Sequence, residues 1–99
     1  MSLVRVGARA ELPRNSVAEF RHGERTVAIC DVEGVLCAVQ GECPHQNGPL
    51  GQGNVIDGVL VCPWHAWEFH CDGDELDKYR VEERGGEIFV ELPDHAGTA

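Results

Sequence analysis

Val55-Ile56-Asp57-Gly58-Val59-Leu60-Val61 sets two short β-branched runs on either side of a turn pair. An Asp-Gly pair between such runs is a strong local signal for a two-residue β-hairpin, because both turn positions must take a positive φ. The same pattern extends outward in both directions. Arg25–Val32 and Val35–Val39 flank Glu33-Gly34 and predict another hairpin. Val4–Val6 predicts a first strand ahead of a Pro13-Arg14-Asn15 loop, and Val17–Arg21 a second, turned by His22-Gly23. Trp67–His70 precedes Asp72-Gly73, and Lys78–Glu83 runs to Arg84-Gly85-Gly86. Glu87–Leu92 closes the set with Ile88, Val90 and Leu92 on one face, and a tail follows from Pro93. No segment has a helical pattern, a repeat or low complexity. Many short strands with regular turns predict an all-β, antiparallel sandwich or barrel.

The bulk numbers bound this reading. Ninety-nine residues suit one domain, 1–99, that buries roughly two-thirds of its chain surface. A composition 42% hydrophobic and 25% charged is that of a globular domain rather than a disordered chain. No apolar run approaches bilayer length, and Met1-Ser2-Leu3-Val4-Arg5-Val6 lacks the features of a secretory signal. A cytoplasmic protein is therefore expected. Eight basic against seventeen acidic residues give a formal charge of −9. That disfavours nucleic acid and anionic membranes and favours a basic protein partner met by electrostatic steering; the alternative reading is that the charge only keeps the domain soluble. Five cysteines, an odd number without an export signal, argue against a disulfide framework and for metal binding by some of them.

Two segments break the strand rhythm, Gly41 to Gly53 and Cys62 to His65, within a candidate site region of about 41–70. The first carries Cys43-Pro44-His45 and the second Cys62-Pro63-Trp64-His65, with sixteen residues between His45 and Cys62. Each loop offers one thiolate and one imidazole, so the four converge if the loop tips face each other. Two thiolates on one iron and two imidazoles on the other make one kind of [2Fe–2S] centre. The same donors also satisfy tetrahedral zinc, as a staple in an interaction module. Zinc fingers usually pair Cys with Cys and His with His, so the mixed order and the Gly- and Pro-rich flanks favour iron–sulfur. Gly41, Gly48, Gly51 and Gly53 with Pro44, Pro49 and Pro63 suit tight loops whose amides can approach the sulfurs. Leu50, Trp64, Trp67 and Phe69 would limit water access.

The run Cys43-Pro-His-Gln-Asn-Gly-Pro-Leu-Gly-Gln-Gly53, then Asp57-Gly58, then Cys62-Pro-Trp-His65 resembles the Rieske ferredoxins of bacterial multicomponent oxygenases. The resemblance spans nearly the whole chain. It implies a Rieske-type antiparallel fold with a small cluster-binding subdomain formed by two loops, and one [2Fe–2S] cluster bound by Cys43, His45, Cys62 and His65. It further implies a non-enzymatic one-electron carrier between an NAD(P)H-linked flavin reductase and a terminal oxygenase acting on aromatic or related substrates. Nitrite reductase small subunits share these motifs and form the alternative, as does a redox sensor using the same cluster. An oxygenase subunit would need a further domain with its own mononuclear iron. Ala66 departs from the family, where a glycine often follows the second histidine. Respiratory high-potential relatives add a disulfide between the loops and a serine and a tyrosine that bond to sulfur. Those positions are here Gly48 and Trp64, and Trp67 and Phe69, so a low potential is expected.

The remaining residues read plainly. His22 and His95 are expected in solvent, and His70 on a strand without a ligand role. Cys30, Cys37 and Cys71 are expected as small apolar residues, with Cys30 opposite Cys37 if Glu33-Gly34 is a two-residue turn. A disulfide between that pair is disfavoured in a hydrogen-bonded site of a reducing compartment. Trp64 is read as a lid on the cluster rather than a docking aromatic.

Overall fold

In a computed structural model, residues 2–23, 25–43, 48–64, 68–70 and 76–92 are described. Among these described residues ten strands run in order: β1 (Ser2–Ala8), β2 (Ser16–His22), β3 (Arg25–Val32), β4 (Val35–Gln40), β5 (Asn54–Ile56), β6 (Val59–Val61), β7 (Glu68–Phe69), β8 (Lys78–Tyr79), β9 (Val81–Arg84) and β10 (Glu87–Leu92). They form three antiparallel sheets, ordered β1-β10-β9, β2-β3-β4-β8 and β5-β6-β7. The all-β expectation holds, and 3₁₀ turns at Arg9–Glu11 and Leu50–Gln52 are the additions to it.

The four-stranded sheet is central, and β3 shows why. Val27 and Ile29 pack with Leu12, Ala38, Ile88, Val90 and Leu92 against the β1-β10-β9 sheet. Ala28 and Cys30 point the other way, into a core of Val39, Leu50, Val55, Leu60 and Phe69 beneath the third sheet. A strand buried on both faces has no polar alternation to show, which is why residues 27–30 read as an unbroken apolar run. The predicted hairpin registers are the observed ones: Val32 faces Val35 across Glu33-Gly34, and Ile56 faces Val59 across Asp57-Gly58. Both residues of each turn have positive φ, as a tight hairpin with right-handed strand twist requires.

Lys78–Glu83, read as one strand, is two. Tyr79 and Lys78 pair with Ala38 and Val39 of the central sheet, while β9 pairs with β10 in another. The break falls at Arg80, whose carbonyl accepts from the Glu91 amide at 2.8 Å. Nothing in the local alternation signals such a change of sheet.

One buried carboxylate ties the layers together. Asp31, 1% exposed, accepts from the Gly34 amide at 2.8 Å, the Asn15 amide at 3.2 Å and the Arg9 guanidinium. Arg9 also reaches Glu83 on β9 at 3.5 Å and donates to the Leu12 carbonyl at 2.9 Å. Burial pushes the Asp31 carboxyl upward, but the bonds from Arg9, Gly34 and Asn15, with the charge of Arg9, outweigh it and hold the group below its ordinary 3.8. A carboxyl lowered on folding stabilises the protein above its unfolded value, and that stability is lost as pH falls through the folded value. Asp31→Ala should therefore cost about 1–3 kcal/mol in denaturant melts at neutral pH, because it leaves two amides without their acceptor and Arg9 with only Glu83 and the Leu12 carbonyl. Asp31→Asn should flatten the loss of stability below pH 3.8; an unchanged acid profile would show that another carboxylate carries it.

Candidate metal centre

The stretch between β4 and β5 is rooted to the central sheet at several points. The Gly41 amide donates to the Thr26 carbonyl at 2.9 Å, and the Leu50 amide donates to the Gly41 carbonyl at 2.9 Å. Glu42 bridges to Pro49, and the Cys43 amide donates to the Gly48 carbonyl at 2.8 Å. Leu50 is fully buried, which anchors the 3₁₀ turn after the loop, and Gln52 donates to Glu19 of β2 at 3.2 Å. The second loop leaves β6 directly, because Cys62 follows Val61. Beneath it Val55, Leu60 and Phe69 form one buried row across β5, β6 and β7.

Gly48 joins the two loops. Its carbonyl holds the Cys43 amide, and a Cβ built on it would stand 3.0 Å from the Cys62 sulfur and 3.2 Å from the Trp64 ring. A side chain at 48 would fill the space beside that sulfur. Cys43 and Cys62 are both free thiols, 0% and 1% exposed, in the core beneath the third sheet. They are the two expected ligands that lie inside the described residues; His45, His65 and Trp67 fall outside them. Among the described residues no group of three or more His, Cys, Asp and Glu stands together. Two buried thiols in one core, one with its sulfur and the other with its backbone amide against Gly48, fit a sulfur-ligated metal group, the softer end of the donor set expected from the loops.

A family model for the Rieske [2Fe-2S] domain matches residues 2–83. The chain belongs to the Rieske [2Fe–2S] domain family. Membership implies one [2Fe–2S] cluster, and the paired thiols fit it. The Rieske chain is 38% identical over 65 residues to chlorophyllide a oxygenase of Chlamydomonas reinhardtii, covering 65% of this chain but only 10% of that protein. It is 32% identical over 80 residues to the ferredoxin component of the alkene monooxygenase system of Xanthobacter autotrophicus, covering 72% of this chain and 66% of that one. Its fold matches a chain in a solved complex of reduced oxygenase and oxidized ferredoxin in carbazole 1,9a-dioxygenase, with a TM-score of 0.78, 22% identity and coverage of 89% and 91%.

The other cysteines divide. Cys30 faces Cys37 in the predicted register and is a free, buried thiol pushed up to about 12 by desolvation, an inert core residue as expected. Cys37 is disulfide-bonded, and not to Cys30. The disfavoured Cys30–Cys37 bridge is thus absent, and the reading of Cys37 as a plain apolar residue fails at this half-buried strand position. Cys71 and His95 lie outside the described residues. His22 and His70 are exposed, and the His22 ring stacks on Phe20 with centroids 6.4 Å apart. Trp64 lies against Gly48 yet stays 55% exposed, so its ring borders the loop junction and still presents a face to solvent. Among the described residues no helix is long and apolar enough to cross a membrane.

The junction makes a sharp test. Gly48→Ala should lower iron content and visible absorbance per chain, since overpacking a tight site typically costs about 1–3 kcal/mol. Gly7→Ala, whose Cβ would meet nothing nearer than Glu11 at 3.4 Å, should leave both unchanged. Equal cofactor content in the two variants would remove Gly48 from the site.

Proposed function

We propose that this Rieske protein is a one-electron carrier, not an enzyme, that takes electrons from an NAD(P)H-linked flavin reductase and passes them to a terminal oxygenase. The likeness to the ferredoxin component of an alkene monooxygenase system, 32% identical over 80 residues, supports this reading. The complex of oxygenase with ferredoxin supports an oxygenase as the acceptor. A nicotinamide-linked donor fits a cytoplasmic setting, although the disulfide at Cys37 is unusual for a reducing compartment.

In this reading Cys43 and Cys62 hold one iron as thiolates, while His45 and His65 hold the other as imidazoles. The cluster supplies a reversible one-electron couple. The chain's own part is to keep the thiolates dry, to hold the two loops at fixed separation through Gly48, and to leave the histidine side for the partner. His45→Ala or His65→Ala should abolish the normal spectrum without unfolding the sheets. A variant with unchanged visible spectrum and potential would dismiss that histidine as a ligand.

The potential follows from what surrounds the sulfurs. Hydrogen bonds to sulfur stabilise the reduced, more negative cluster and raise the potential. Phe69, fully buried beside the Cys62 core, and Trp67 bring no hydroxyl, and Gly48 against Trp64 leaves no covalent staple between the loops. Rieske centres span roughly −150 to +300 mV, and this one should lie near the bottom of that range. Protein-film voltammetry reads it directly. A midpoint above about +100 mV, in the upper half of that span, would count against both the missing hydrogen bonds and a carrier fed by nicotinamide.

A further inference from the structure

The third sheet has one face in the core and one in solvent. Residues paired directly across antiparallel strands share a face, so the buried row of Val55, Leu60 and Phe69 assigns the rest. Asn54, Val61 and Glu68 form one outward row, and Ile56 with Val59 the next. Ile56 is 51% exposed, and Val59 and Val61 are half-buried. Ile56 and Val59 sit at the Asp57-Gly58 end of the hairpin, away from Cys62, so this surface extends sideways from the loops rather than over them. An isoleucine held half in water at the turn end of an edge strand does nothing for the core beneath the sheet.

Along the segment that holds it, charge has a single sign. Residues 26–77 contain nine Asp and Glu and no Lys or Arg, whereas the rest of the chain holds eight of each. The whole net charge of −9 therefore belongs to the segment that contains the loops and the third sheet. Glu68 lies on the face and Asp57 at its end, both exposed, and no cation within that segment neutralises them. A small apolar centre inside an anionic field complements a surface with an apolar centre and a ring of cations.

We propose that the outward face of the β5-β6-β7 sheet is a lateral docking surface for a redox-partner protein that presents an apolar patch ringed by Lys and Arg. The proposal takes the redox nature of the partner from the carrier reading; the face itself stands on packing and charge. An anionic rim speeds encounter, and a contact of so few apolar side chains separates quickly. A carrier that must leave one partner before meeting the next needs both properties.

A lysine-ringed c-type cytochrome with an exposed haem edge supplies the probe. Amide shifts of the isotope-labelled holoprotein are followed on titration at low ionic strength, together with the rate at which the reduced holoprotein reduces the cytochrome. Shifts should centre on Ile56, Val59, Val61 and Glu68. Ile56→Lys should slow the reduction by about tenfold or more, because it puts a cation where the cationic ring must sit. Val35→Lys makes the same change of charge at a residue 67% exposed on the β3–β4 hairpin, and should slow it by less than about twofold if docking is local rather than set by net charge. Equal slowing by the two variants, no slowing by either, or shifts confined to other surfaces would overturn the lateral face. Shifts on this face without electron transfer would uphold the docking surface and count against the carrier reading instead.

Discussion

Two loops from different strands can share one site only if nothing stands between them, and the open position at Gly48 meets that condition. Its carbonyl fastens its own loop through the Cys43 amide, while its bare α-carbon admits the Cys62 sulfur and the Trp64 ring. The rest of the molecule serves this junction. Hydrogen bonds at Gly41 and the buried Leu50 root one loop to the central sheet. The buried row across β5, β6 and β7 sets the height of the other. Asp31 and Arg9 then lock the central sheet to the sheet behind it. The junction thus has stiff support on both sides, as a close-packed interior provides.

Burial alone does not make a cysteine a ligand. Cys30, Cys43 and Cys62 are all free, all inaccessible and all in one core. What separates them is backbone context. Cys30 lies mid-strand among apolar neighbours that raise its thiol and silence it. Cys43 and Cys62 sit at the mouths of loops, and Gly48 of the first loop meets the sulfur of the second. Cys37, one strand away from Cys30, has a third fate as half of a disulfide.

The distribution of charge complements this packing. A chain whose net charge falls wholly within residues 26–77, the segment that includes the loops and the third sheet, is steered toward a cationic surface by that segment. The dry core behind the loops keeps water from the thiols, and the half-exposed Trp64 and Ile56 supply apolar contact at the surface. Steering and contact are in this way assigned to different residues: carboxylates act at range, and a few apolar side chains act at touch.

Much of this was legible in the residues themselves. Turn pairs at Glu33-Gly34 and Asp57-Gly58 dictate hairpin registers, because a two-residue turn allows one pairing. The mixed Cys and His spacing points to the cluster, because the donor set is a local chemical fact. Three features depended on the tertiary structure. That Lys78–Glu83 divides between two sheets at Arg80 is invisible to alternation, since neither half fully buries a residue that would mark the face it turns to a sheet. The disulfide at Cys37 depends on which distant segment comes near, and a count of cysteines carries no such distance. The contact of Gly48 with Cys62 joins residues fourteen positions apart in sequence, and glycine at 48 reads as loop flexibility until the second loop is seen to occupy the room its missing side chain leaves. Short-range chemistry is written in neighbouring residues; the meeting of separate segments is decided by the packing of the whole chain.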